Sequence, residues 1–191
     1  MKYYVDIVLI PTRDEGLDFI WSNLYMQMHL ALVEIKSDDG VEVGFSFPFY
    51  NAHAFPLGDT LRVFATSKDL FDRLNLEHWL KRLEGYVYVG KINDVPSNIQ
   101  EYATFSRKQF KSNIARLARR YAKRHKVTLA EAMEVYKDAN TQHTKLPFVN
   151  MKSLSREEDM KIFIQKSIKS EVKQGLFSTY GLSSESTVPL F

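Results

Sequence analysis

The first 92 residues change their apolar period in an order that few folds accept. Tyr3 to Ile10 alternates, with Tyr3, Val5, Ile7 and Leu9 on one face of a strand and Tyr4, Asp6, Val8 and Ile10 on the other, and Pro11 closes it. From Leu17 the period becomes helical. Ile20, Trp21, Leu24, Met28, Ala31, Leu32 and Ile35 recur at three- and four-residue intervals, with Asp14 as the expected cap and Asp38, Asp39 and Gly40 as the stop. Val43, Phe45 and Phe47, then Leu61, Val63 and Ala65 beyond a loop rich in aromatics, predict two more strands. Ser67 is the expected cap of a second helix carrying Leu70, Phe71, Leu74, Trp79, Leu80 and Leu83, and Tyr86 to Ile92 supplies a last strand. The order βαββαβ predicts an α+β chain with an N-terminal ferredoxin-like domain over residues 1–94, the topology that RNA-recognition modules share. That topology hosts many functions. The aromatic RNP1 pattern is missing from these strands, which argues against ordinary sheet-face binding of single strands. Asp94 to Asn98, with Pro96, reads as a linker, so residues 95–191 form a second domain.

That second domain is dominated by its charge. The 20 residues from Arg107 to Lys126 hold nine Lys or Arg and no Asp or Glu. On a helical projection Arg116, Arg119, Arg120, Lys123, Arg124 and Lys126 share an arc of roughly 160°, while Ile114, Ala118, Tyr121 and Ala122 lie opposite. Ser112 or Asn113 is the expected N-cap, and Thr128 with Glu131 reads as a capping box that starts another helix. A solvated helix face normally interleaves both signs. This one is purely cationic, which points to a polyanion, and the absence of large apolar anchors at its edge favours nucleic acid over membrane. The charge of the whole chain follows the same division. Residues 1–100 carry nine basic against 14 acidic side chains (−5), residues 101–191 carry 17 against nine (+8).

Other classes are excluded by what is missing. There is no cysteine, hence no disulfide and no Cys-based zinc site. No histidine pair has the spacing of a zinc helix, so no metal and no cofactor is expected. No apolar run reaches 18 residues and Asp6 interrupts the N-terminus, so neither a membrane span nor a signal peptide is indicated, and a cytoplasmic protein is expected. No coiled-coil pattern appears, which predicts a monomer in the free state. Among the five histidines, His53 falls in a loop, His143 in a polar connection, and His78 and His125 read as helix-surface or packing residues. His29 lies about 120° from the centre of the first helix's apolar stripe, beside Tyr25 and Leu32, at a rim where an imidazole is both oriented and wet.

Around the basic helix stand Phe105, Ser106, Arg107, Lys108 and Gln109, then Lys111, Ser112 and Asn113. Further on come Leu146, Pro147, Phe148 and Val149, Ser153, a basic-aliphatic strand over Lys161 to Lys166, and Tyr180, Gly181, Leu182 and Ser183. With the helix around His29 and the Gly44 to Pro48 block (Gly-Phe-Ser-Phe-Pro), these blocks resemble, in order and spacing and over the full length, the CRISPR repeat-processing endoribonucleases of type I-F systems.

The resemblance implies an enzyme that binds the stem-loop of each repeat in a precursor CRISPR RNA, cuts once at the 3′ base of the stem without a metal, and keeps the product as a subunit of a surveillance complex. It implies that His29 is the catalytic histidine, acting as a base or as an electrostatic stabiliser. Ser153, or Ser155 two residues on, would hold the 2′-hydroxyl, and Tyr180 would orient the histidine. It lays the basic helix into the hairpin's major groove, with Arg116, Arg119, Arg120, Lys123 and Arg124 on phosphates and Lys111 nearby. Arg107 and Gln109, two apart and so aimed alike if extended, become base readers at the foot of the stem. Met160 stands where an aromatic stacking on the terminal pair is expected, and Ala118 where another Arg can occur. The alternative is a catalytically weak or inactive subunit that binds the hairpin structurally.

Overall fold

The computed structural model describes residues 1–51, 55–110, 114–136, 144–152 and 159–191, with the backbone alone for 114–116. Two antiparallel sheets divide the chain at residues 95–100. The first contains β1 (Tyr3–Leu9), β2 (Val43–Ser46), β3 (Thr60–Ala65), β4 (Val87–Val89) and β5 (Asn93–Asp94) in the order β2-β3-β1-β4, with β5 also on β1. Helix α1 (Leu17–Ile35) connects β1 to β2, and α2 (Asp69–Leu74) with α3 (Leu76–Leu80) connects β3 to β4. The second sheet orders β6 (Glu101–Lys108), β7 (Phe148–Lys152), β8 (Asp159–Lys169) and β9 (Val188–Leu190) as β7-β8-β6-β9. By compactness the chain divides differently: Met1–Lys108 with Pro147–Phe191 form one unit and Gln109–Leu146 the other.

In the larger unit Val5, Ile7 and Leu9 of β1 are buried, as the alternation requires, against Ile20, Trp21, Leu24, Tyr25, Met28, Ala31 and Leu32 of α1. Tyr25 joins the predicted stripe and Ile35 is only half-buried. Gly16, not Asp14, is the N-cap of α1. The second helix is broken where its periodicity predicts one run. Asn75 adopts φ +44°, ends α2 by donating its N–H to Phe71 O, and accepts from His78 N–H to start α3. Asn is among the few residues that tolerate this left-handed conformation. Lys68, not Ser67, precedes α2. The last strand is interrupted too. Gly90 N–H donates to Asp6 O, and between Val89 opposite Ile7 and Asn93 opposite Tyr4 the register slips by one residue, a bulge that separates β4 from β5.

On the other face of β1, Arg62 grips Asp6 with two bonds of 2.7 and 2.8 Å, donates to Phe191 O at 2.8 Å, and lies 4.7 and 4.2 Å from the Tyr4 and Phe191 ring centres. This face of the sheet is therefore partly covered by the chain's own C-terminus. β2, whose pattern predicts one dry face, is buried on both. Gly44 explains how: a Cβ there would lie 2.7 Å from the Phe177 ring and 2.9 Å from Val188 Cγ1, so only glycine admits the covering segment.

The smaller unit pairs α4 (Ile114–His125) with α5 (Leu129–Val135). Lys126 at φ +54° ends α4, and the Thr128–Glu131 capping box forms: Glu131 N–H donates to Thr128 Oγ1 at 3.3 Å and Thr128 N–H to Glu131 Oε2 at 2.8 Å. The bonds from Thr128, its backbone N–H first, hold the Glu131 carboxyl below the usual carboxylate range. Ala118 and Ala132 are fully buried, and Tyr121 meets the Tyr136 ring edge-on at 6.0 Å.

Candidate active site

The site begins with a turn near the C-terminus. Residues 177–183 are stitched to both sheets by backbone bonds. Val41 and Phe177 exchange N–H···O bonds of 3.0 and 2.9 Å, Phe45 N–H donates to Gly181 O at 2.8 Å, and Ser183 N–H donates to Phe105 O of β6 at 2.9 Å. Within the segment Gly181 N–H returns to Ser178 O at 2.8 Å, and Gly181 takes φ +67°. A Cβ on Gly181 would sit 2.3 Å from the Phe45 ring. Left-handed backbone and ring contact together exclude any side chain here. Gly181→Ala is expected to cost about 2–4 kcal/mol from strain plus overpacking, read as a shifted urea midpoint with unchanged m-value.

This turn presents Thr179 and Tyr180 to α1. The His29 ring is half-buried at the helix rim and stacks on the Tyr180 ring, centroids 4.3 Å apart and planes 4° from parallel. His29 Nδ1 lies 2.8 Å from Thr179 O. A carbonyl can only accept, so Nδ1 carries the proton and, in the neutral ring, Nε2 is left with a lone pair. One turn earlier on α1, the Tyr25 hydroxyl donates to Tyr180 O at 2.9 Å. Burial pushes the Tyr25 phenol well above the ordinary tyrosine range, with the neighbouring Tyr180 acting in the same direction.

Arg107 completes the cluster from β6. Its guanidinium carbon lies 4.9 Å from the Tyr180 ring centre, and its Nε is buried without a hydrogen-bond partner among the described residues. Arg107 shares the inward face of β6 with the buried Phe105, opposite Ile164, which explains a cation half-buried beside the Tyr180 ring. The strand ends at Lys108, so Gln109 lies beyond the extended segment, exposed and in the smaller unit. Met160 on β8 stands opposite the buried Met151 and packs at the edge of the core. Lys111, Ser153 and Ser155 lie outside the described residues, as do His53, His143 and both expected caps of α4.

In the smaller unit Arg119, Arg120, Lys123, Arg124 and Lys126 are all exposed, and Arg116 falls on the described backbone of α4. His125 is exposed and stacks on Tyr121 at 4.2 Å. Among the described residues no three His, Asp or Glu side chains gather into a potential metal site, and no helix is long and apolar enough to cross a membrane.

Tyr25, Thr179 and Gly181 carry this geometry, and periodicity singles out none of them as functional. The spacing of Tyr25 and His29, four apart on one helix face, is the one local signal.

Comparison with known proteins bears on the whole chain. A family model described as CRISPR-associated protein (Cas_Csy4) matches residues 4–191. The CRISPR-associated endonuclease Cas6/Csy4 of Escherichia coli (strain UTI89 / UPEC) is 34% identical over 193 residues, covering 100% of both chains. The protein of the same description from Pseudomonas aeruginosa (strain UCBPP-PA14) is 33% identical over 192 residues, again covering 100% of both. With a match of this length in the family model and in two full-length relatives, the chain belongs to the Csy4 family of CRISPR-associated proteins.

Proposed function

We propose that this protein is a metal-independent endoribonuclease that binds the stem-loop of a CRISPR repeat, cuts the precursor at the 3′ base of the stem and stays bound to the mature guide. The observation that carries the reading is the His29 ring, whose Nδ1 is engaged by Thr179 O while Nε2 keeps an acceptor lone pair. RNA supplies its own nucleophile. In the proposed step Nε2 takes the proton of the 2′-hydroxyl beside the scissile phosphate, the 2′-oxygen attacks phosphorus in line, and the bond to the 5′-oxygen breaks. The 5′-oxygen leaves as a hydroxyl by taking a proton from solvent water, His29 gives its extra proton back to solvent, and the upstream product ends in a 2′,3′-cyclic phosphate. The stack on Tyr180 fixes the plane of the imidazole. In this reading Ser153, or Ser155, holds the 2′-hydroxyl.

Affinity is assigned to α4, whose Arg116, Arg119, Arg120, Lys123 and Arg124 contact phosphates, assisted by Lys111. Arg107 and Gln109 read bases at the foot of the stem. Met160 covers the terminal pair with apolar surface. Residues 1–94 are read as the ferredoxin-like domain, which the strand order β2-β3-β1-β4 supports, and 95–191 as the RNA-binding domain with its arginine-rich helix. The free protein is proposed to be a cytoplasmic monomer that joins other subunits of a type I-F surveillance complex.

The test is single-turnover cleavage of the cognate repeat hairpin in EDTA, with analysis of the product ends. One cut at the stem's 3′ base, leaving a cyclic phosphate and a 5′-hydroxyl, is expected. Tight, salt-sensitive binding without cleavage would replace this reading with that of a structural hairpin-binding subunit.

A further inference from the structure

We propose that Tyr25 is the positioning residue of this site: its hydroxyl holds the Tyr180 carbonyl and thereby fixes the tautomer and plane of His29. The inference rests on the reading of His29 as the base. Two successive carbonyls of one turn, Thr179 O and Tyr180 O, are taken by two residues of one helix, His29 at 2.8 Å and Tyr25 at 2.9 Å. A residue and its fourth successor lie one above the other on a helix, so the two bonds hold the turn at two adjacent points.

The strengths of the two grips differ. His29 is half-buried and its bond faces competition from water, whereas Tyr25 is 0% exposed and its hydroxyl has Tyr180 O as its partner. The Tyr25 ring meets Phe45 edge-on at 6.0 Å, and Phe45 N–H donates to Gly181 O, so the core that immobilises Tyr25 is the core against which the turn closes. Burial keeps the phenol protonated, and therefore a donor, far above neutral pH. Without the hydroxyl, Tyr180 O loses its donor, the turn loses one of its two ties to α1, and Nδ1 no longer meets Thr179 O in a fixed place. The neutral imidazole is then free to carry its proton on Nε2, the atom that must be bare to accept one.

Tyr25→Phe removes one oxygen and keeps the ring. In free protein labelled with ¹⁵N-histidine, the wild-type His29 signal is expected to show a protonated Nδ1 and a bare Nε2, and the variant a shift toward the other tautomer. Single-turnover cleavage should slow by about tenfold to a hundredfold, as for a displaced catalytic group, while hairpin affinity holds. In a His29→Ala background the same change should alter the residual rate by less than about twofold, because Tyr25 acts through His29. A variant with wild-type tautomer and rate, or one equally slowed without His29, would overturn the proposal. So would a wild-type His29 protonated mainly on Nε2, a measurement that stands even if the variant does not fold. Should the wild type not cut the hairpin at all, the nuclease reading fails, and the tautomer comparison still decides what Tyr25 does.

Discussion

His29→Ala is expected to slow single-turnover cleavage of the repeat hairpin by about 10²–10⁴-fold, the usual worth of a positioned proton acceptor, while hairpin binding is retained. Binding should survive because the exposed cations of α4 belong to a different compact unit from the histidine. Folding should survive as well. Position 29 is half-buried at a helix rim, alanine is the best helix former, and the change removes one stack on Tyr180 and one bond to Thr179 O. Cleavage by His29→Ala at the wild-type rate would end the assignment.

Where sequence is sufficient, a short-range period explains why. The faces of β1 and α1 follow from alternation and from a 3.6-residue repeat, and so does the rim position of His29. The capping box at Thr128 is legible because its two partners are three residues apart. Failures begin where local rules compete. Asn75 interrupts a continuous apolar stripe because a side chain that tolerates left-handed backbone can cap two short helices at once. A bulge at Gly90 divides what reads as one strand, since β propensity does not reveal register. The alternation in β2 predicts a wet face that Phe177 and Val188 cover from more than 130 residues away. The partner of His29 is of the same kind. Thr179 O is a backbone atom 150 positions distant, and nothing in a threonine's identity marks its carbonyl as a site atom.

Replacing Arg119, Arg120, Lys123 and Arg124 together by alanine is expected to weaken hairpin binding by about 10²–10³-fold near physiological salt, at roughly 0.7–1 kcal/mol for each exposed ion pair with a phosphate. The slope of log K against log[salt] should fall by about three to four, one for each phosphate left without its cation. All four side chains are exposed, so their removal opens no cavity, and alanine favours the helix. Ala118 and Tyr121, which face inward, stay in place with the α4–α5 pairing. With protein in excess over its weakened dissociation constant, the cleavage rate should return to the wild-type value, because His29, Tyr180 and Arg107 lie in the larger unit. That split between affinity and rate is the opposite of the one expected for His29→Ala. Salt titration of binding and saturation of the rate with protein check it directly. A variant that keeps the wild-type salt slope would show that α4 does not carry the phosphate contacts. A rate that stays low at saturation would mean that the cationic helix also shapes the reacting end of the RNA, and affinity and chemistry could no longer be assigned to separate units.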